Sequence, residues 1–72
     1  MSLSISFKNA LIKNKVMSND DFEKNSVFLS PRGINLVKKI KQIYINSSDV
    51  TSLDGLHNFT SLKYLDCSFN NI

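Results

Sequence analysis

Hydrophobic residues in the first half of the chain form short clusters separated by polar runs. Phe7 and Leu11 are spaced four residues apart, which places both side chains on one face of a helix. Ser4 or Ser6 suits the N-cap of that helix, because a serine oxygen accepts a hydrogen bond from an unpaired N–H of the first turn. The pattern therefore predicts a helix that runs to about Asn14.

Two further segments carry helix-start signals. Residues 18–21 read Ser-Asn-Asp-Asp, which supplies a capping oxygen and places acidic charge in a first turn. Ser30 and Pro31 form a stronger signal, because proline lacks the N–H that has no partner at the first helical position. We expect this helix to reach about Lys39. The chain over 16–30 is left open, either as two helical turns or as irregular chain.

The second half of the chain repeats its apolar pattern at an offset of 22 residues. The four equivalent pairs are Ile40 and Leu62, Ile43 and Leu65, Ile45 and Cys67, and Val50 and Ile72. Neither a helix period nor a strand period produces this spacing, and it predicts two stacked coils whose short strands pair in parallel. An inward Asn70 is expected to bond backbone groups that the turn leaves unpaired.

Residues 62–72 read Leu-Lys-Tyr-Leu-Asp-Cys-Ser-Phe-Asn-Asn-Ile and fit the pattern L-x-x-L-x-L-x-x-N-x-L. This segment resembles a leucine-rich repeat, and residues 50–62 are similar to the link between coils in bacterial internalin-like proteins with 22-residue repeats. The resemblance implies an α/β fold, a leucine-rich-repeat solenoid fragment with a short parallel strand pair. It divides the chain into a helical N-terminal cap (1–39), a first repeat (40–61) and a truncated second repeat (62–72). Ser48 stands where the pattern expects Asn.

The resemblance also implies a function, that of a non-catalytic protein–protein interaction module rather than an enzyme. Such a module binds through the outward strand face, where rigid aromatic side chains contribute most per residue. The candidate protein-binding residues are Gln42, Tyr44, Asn46, Tyr64, Asp66 and Phe69. The implied partner is another protein of unknown identity. The resemblance suggests a cell-surface or secreted protein, but no signal peptide is visible, so a cytoplasmic location stays open.

A structural role is one alternative to partner binding. The second repeat stops at Ile72, so we expect either that the natural chain continues or that another chain covers the open end of the coil. In the latter case the protein is a capping fragment that self-associates as a homodimer. The candidate self-association residues are Leu62, Leu65, Cys67 and Ile72.

Charge adds a second alternative. The chain has 72 residues, enough for one small domain, and its nine Lys and Arg against six Asp and Glu give a net charge of +3. Lys38, Lys39 and Lys41 form the densest basic run, which suits weak nucleic-acid binding. Nucleic acid remains the disfavoured partner, because no aromatic residues interleave with the lysines and no nucleic-acid motif is present.

The residues that could carry chemistry are few. A single cysteine can form neither an internal disulfide nor a cysteine-based zinc site. The repeat places His57 on the outer link and Cys67 inside, so we predict no nucleophile–histidine pair. We expect no metal and no cofactor. No apolar run reaches the roughly 18 residues of a transmembrane helix, so no membrane span is predicted.

Overall fold

Two short helices precede a parallel pair of short strands. A computed structural model describes all 72 residues. The elements are α1 (Ile5–Lys13), α2 (Pro31–Val37), β1 (Gln42–Tyr44) and β2 (Tyr64–Asp66), with 3₁₀ turns at Asn19–Asp21 and Leu56–Asn58. The two strands form one parallel sheet, which by itself shows no solenoid. The leucine-rich-repeat identity therefore stays a prediction.

Helix α1 begins and ends close to its predicted bounds. Ser4 is the N-cap, and its Oγ accepts a hydrogen bond from the N–H of Phe7 at 3.2 Å. Asn14 ends the helix, since its backbone N–H still donates to Ala10 while the next residue adopts a left-handed backbone. Phe7, Ala10 and Leu11 are buried, so one face of α1 forms part of the core.

The segment over 16–30 is mostly irregular, which settles the open alternative. It contains one 3₁₀ turn at Asn19–Asp21 and no α-helix. Isolated antiparallel bridges join Ser2 to Phe28 and Phe22 to Leu29. The segment thus folds back on itself and onto the N-terminus, and it buries Phe22 and Leu29.

Helix α2 starts as predicted and ends earlier than predicted. Ser30 Oγ accepts from the N–H of Gly33 at 3.2 Å, and Pro31 occupies the first helical position. The helix ends at Val37, so the expectation that it reaches Lys39 is wrong. The chain forms a tighter turn there, because the Lys39 N–H donates to the carbonyl of Leu36, three residues back. It then continues into β1.

The two strands pair in parallel at the predicted offset. The backbone partners are Gln42 with Tyr64, Ile43 with Leu65, and Tyr44 with Asp66, which confirms the 22-residue register. The ladder continues beyond the strands, because Ile45 N–H donates to Asp66 at 2.8 Å and Ser47 N–H donates to Ser68 at 3.0 Å.

The backbone after each strand also repeats. Ser47 and Phe69 are 22 residues apart and both adopt the left-handed conformation, with φ of 53° and 58°. Non-glycine residues seldom adopt positive φ. The two turns therefore share this rare geometry at one equivalent position, and they differ two residues later, where Asp49 has positive φ and Asn71 does not.

The side-chain amide of Asn70 joins the two turns. Its Oδ1 accepts from the N–H groups of Ser48 and Val50 at 2.9 and 3.0 Å. Its Nδ2 donates to the carbonyls of Ile45 and Cys67, both at 2.9 Å. The expected role of Asn70 is confirmed, because one side chain satisfies backbone groups in both coils.

Ser48 occupies the position equivalent to Asn70 in the first coil, and helix α1 completes its hydrogen bonding. The buried Ser48 hydroxyl donates to the Asn46 carbonyl at 3.0 Å and accepts from Asn14 Nδ2 at 3.0 Å. Asn14 Nδ2 also donates to the Ala10 carbonyl at 2.8 Å. The residue that ends α1 therefore extends the Asn70 network into the helical half of the chain.

A single core spans both halves of the molecule. Its 12 buried apolar residues are Leu3, Phe7, Ala10, Leu11, Met17, Phe22, Leu29, Val37, Ile43, Ile45, Val50 and Phe59. Phe7 of α1 and Phe59 of the link between strands meet with ring centroids 5.7 Å apart. The predicted cap and repeat thus share one hydrophobic interior.

Candidate protein-binding face

The strands point alternate side chains inward and outward. Ile43 is fully buried, whereas its neighbours Gln42 and Tyr44 are exposed. We call the outward surface the strand face, and it comprises Gln42, Tyr44, Asn46, Tyr64, Asp66 and Phe69. Asp66 is half-buried, and the other five side chains are exposed. The alternation in β1 agrees with the predicted outward positions of Gln42 and Tyr44, whereas Asn46 and Phe69 lie outside the strands. The role of these six residues in binding stays a prediction.

Two tyrosines dominate the centre of the strand face. Their ring centroids lie 5.3 Å apart and the ring planes are tilted by 41°. The pairing is diagonal, because Tyr44 lies opposite Asp66 and Tyr64 lies opposite Gln42 in the strand register. The Tyr44 hydroxyl donates to Gln42 Oε1 at 3.3 Å, which further orients its ring.

The tyrosine pair is accessible to a partner. Tyr44 is 49% exposed and Tyr64 is 52% exposed. Each ring already rests against the other, so binding would immobilise little additional side-chain freedom.

Asp66 contributes a negative charge at the edge of the tyrosine pair. Its carboxylate accepts from the hydroxyl of Ser68 at 2.7 Å and from the Ser68 N–H at 3.2 Å. These bonds favour the ionised form, the side-chain bond most strongly, and they hold the pKa of Asp66 below its ordinary value. Asp66 is therefore ionised at neutral pH.

Phe69 lies apart from the tyrosine pair. It is 85% exposed and occupies the turn after β2. The aromatic ring pairs of the chain are Tyr44 with Tyr64 and Phe7 with Phe59, so Phe69 stacks on no other ring. Phe69 therefore does not join the tyrosine pair.

The four predicted self-association residues differ in exposure. Leu62, Leu65 and Cys67 are half-buried and pack against the core, and only Ile72 is exposed, at 61%. Their role in self-association stays a prediction. Strand β2 has a partner on one edge only.

The three lysines of the basic run are exposed and lie outside any helix. Lys38 caps the end of α2, and Lys39 and Lys41 follow in the connection to β1. None of them forms an ion pair, since the chain contains one such pair, between Arg32 and Asp21. The basic run therefore lies where the chain leaves α2 and enters β1.

No catalytic or metal-binding cluster accompanies the strand face. His57 is exposed on the second 3₁₀ turn, whereas Cys67 is a half-buried free thiol. Nowhere do three His, Cys, Asp or Glu side chains converge as a metal site would require. Neither helix has the length and apolar character needed to cross a membrane.

Sequence reasoning missed one pairing, that of Asp21 with Arg32. The sequence pattern indicated Asp21 only as a first-turn carboxylate, yet it is 2% exposed and its Oδ1 lies 3.2 Å from Arg32 Nε. The two residues are eleven positions apart in different elements. The only available signal was the pair of aspartates at 20–21.

Comparison with protein-family models, curated proteins and solved structures gives no match. The resemblance to leucine-rich repeats therefore rests on the residues of this chain alone.

Replacing Ser68 with alanine should raise the pKa of Asp66 toward its ordinary value. A carboxylate with a lowered pKa contributes stability above its unfolded-state pKa, and that contribution is lost as the pH falls through the folded-state value. Ser68→Ala should therefore shift this loss to higher pH. The measurement is a carboxyl-carbon NMR titration of Asp66, with Ser47→Ala as the control. An unchanged midpoint in Ser68→Ala would contradict the assignment.

Proposed function

We propose that this chain is a non-catalytic protein-interaction module whose partner docks on the strand face. The observation that carries the proposal is the exposed pair of Tyr44 and Tyr64, preformed with centroids 5.3 Å apart on a two-stranded sheet. Tyrosine is enriched among residues that dominate binding energy, because it contributes a large contact area with few rotatable bonds.

We further propose that the module is of leucine-rich-repeat type. The 22-residue strand register, the repeated left-handed turn and the hydrogen bonds of Asn70 support this assignment. In such a repeat the inward positions serve packing and the outward strand positions are free to bind. The division between buried Ile43 and exposed Tyr44 is consistent with that use.

The charge beside the tyrosines indicates which partner side chains fit. Asp66 lies opposite Tyr44 in the register and carries a full negative charge at neutral pH. A partner lysine or arginine can pair with this carboxylate while its aliphatic stem or cation rests on a tyrosine ring. We therefore expect bound peptides to combine a basic residue with an apolar one.

Self-association is the second candidate function, and the free edge of β2 favours it. Strand β2 pairs with β1 along one edge, and its other edge has no partner. Leu62, Leu65 and Cys67 lie in or next to β2 and are partly exposed. An unpaired strand edge next to apolar side chains is a template for another strand. A second copy of the chain could supply that strand.

Tyr64→Ala should weaken partner binding by about tenfold or more, since a central tyrosine at an interface is often worth 2 kcal/mol. The probe is a displayed library of random peptides selected on the wild-type protein, with affinities then measured for each variant. Tyr44→Ala should cause a comparable loss. Lys39→Ala, an exposed change away from the strand face, is the matched control.

Two outcomes would contradict partner binding on the strand face. One is that the selected peptides bind the tyrosine variants as tightly as they bind the wild type. The other is that no peptide binds, while a DNA or RNA oligonucleotide binds with an affinity that falls steeply with salt and with charge removal at Lys38, Lys39 and Lys41.

Leu65→Asp should abolish self-association if the free edge of β2 mediates it, because an unpaired charge would be buried in the interface. Ile72→Asp tests the same surface through an exposed residue whose replacement should spare the fold. The measurement is solution mass by light scattering over a concentration series. A wild-type monomer at every concentration, or a dimer that survives both substitutions, would exclude this candidate.

A further inference from the structure

A cleft lies on a part of the molecule that contains no residue of the strand face. It occupies about 420 Å³ between the end of α1, the first 3₁₀ turn and α2. Ile12, Val16 and Leu36 provide apolar walls, and Lys15, Asp21 and Arg32 provide charge. The cleft is shallow and widely open to solvent, so it would cover a ligand on one side only.

Asp21 is the unusual group in this cleft. The residue is 2% exposed, and its Oδ2 accepts from the Ser18 N–H at 2.8 Å. Its Oδ1 is buried without a hydrogen-bond partner, although Arg32 Nε lies 3.2 Å away. A buried carboxylate is costly unless a counter-charge compensates it, so Arg32 is held over Asp21 by electrostatic attraction.

The guanidinium of Arg32 keeps most of its binding capacity. Its side chain is 70% exposed, and its contact with Asp21 is through Nε. A guanidinium carries five N–H donors in a planar fork that matches a carboxylate. Asp21 thus makes one charge–charge contact with Arg32 and leaves the rest of the guanidinium free.

The sum of charges in the cleft favours an anion. Lys15 and Arg32 carry two positive charges against the single negative charge of Asp21, which leaves one positive charge in excess. Lys15 is exposed and forms no ion pair in the chain. A fully polar anion would not contact the apolar walls, so an anion with an apolar part fits the cleft better.

We propose that this cleft binds a small amphipathic carboxylate. The carboxylate pairs with Arg32 and Lys15, and the apolar body of the ligand packs on Ile12, Val16 and Leu36. Asp21 acts as a positioning residue, because it orients Arg32 and does not touch the ligand. Two sources share this chemistry, namely short fatty acids and acylated apolar amino acids.

The test is a titration of the isotope-labelled protein followed by backbone amide NMR. The probes are octanoate for the fatty-acid source and N-acetyl-leucine for the amino-acid source, with octylamine as the matched probe of opposite charge. We expect saturable shifts at Ile12, Val16, Arg32 and Leu36 with one or both carboxylates, and none with octylamine. Whichever carboxylate binds more tightly identifies the source.

Variants that remove a charge distinguish specific binding of the carboxylate from nonspecific binding to an apolar surface. Arg32→Gln should weaken carboxylate binding at least tenfold, since it removes a charged hydrogen-bond donor. Lys15→Gln, which leaves the Asp21 contact intact, should weaken it severalfold, and the control Lys38→Gln should leave it unchanged. The proposal is overturned if octylamine produces the same shifts, if no probe binds, or if affinity survives both Arg32→Gln and Lys15→Gln.

Discussion

The side-chain amide of Asn70 is the interaction on which the repeat part of the molecule depends. The turn after β1 leaves the N–H groups of Ser48 and Val50 without a backbone acceptor, so a side chain must pair them. Asn70 reaches them from the following coil and also bonds the carbonyl of Ile45. Because one planar group must satisfy both turns, the strands are held at a single register. That register places Tyr44 and Tyr64 diagonally across from each other and so creates the strand face.

The helical half of the chain is part of the same structure rather than a separate support. Asn14 extends the hydrogen-bond network from the end of α1 to Ser48, and the rings of Phe7 and Phe59 join the two halves within the core. A two-stranded sheet alone would be marginally stable in water. In the folded chain its inner residue Ile43 is fully buried in the core that also contains residues of α1, and the outer residues Gln42 and Tyr44 are exposed.

Local chemistry explains what the sequence predicted correctly. Ser4 and Ser30 cap helices with their own side chains. The 22-residue offset in the sequence matches the register in which β1 and β2 pair. The failures depend on contacts between distant residues. The bridge between Phe22 and Leu29, the early end of α2 and the burial of Asp21 beneath Arg32 are set by tertiary packing, which no local pattern encodes. The donor to the Ser48 hydroxyl, Asn14 Nδ2 at the end of α1, likewise lies far away in the sequence.

The central claim is that Asn70 accepts hydrogen bonds from the N–H groups of Ser48 and Val50 and thereby holds the turns after β1 and β2 together. Amide hydrogen exchange, followed by NMR in the wild type and in Asn70→Ala, tests it most directly. We predict slow exchange at Ser48 and Val50 in the wild type, with fast exchange at Asp49 between them, whose N–H has no acceptor in the chain. Asn70→Ala should abolish the protection of Ser48 and Val50, while α1 remains protected. Fast exchange at both amides in the wild type, or protection that survives the substitution, would contradict the account.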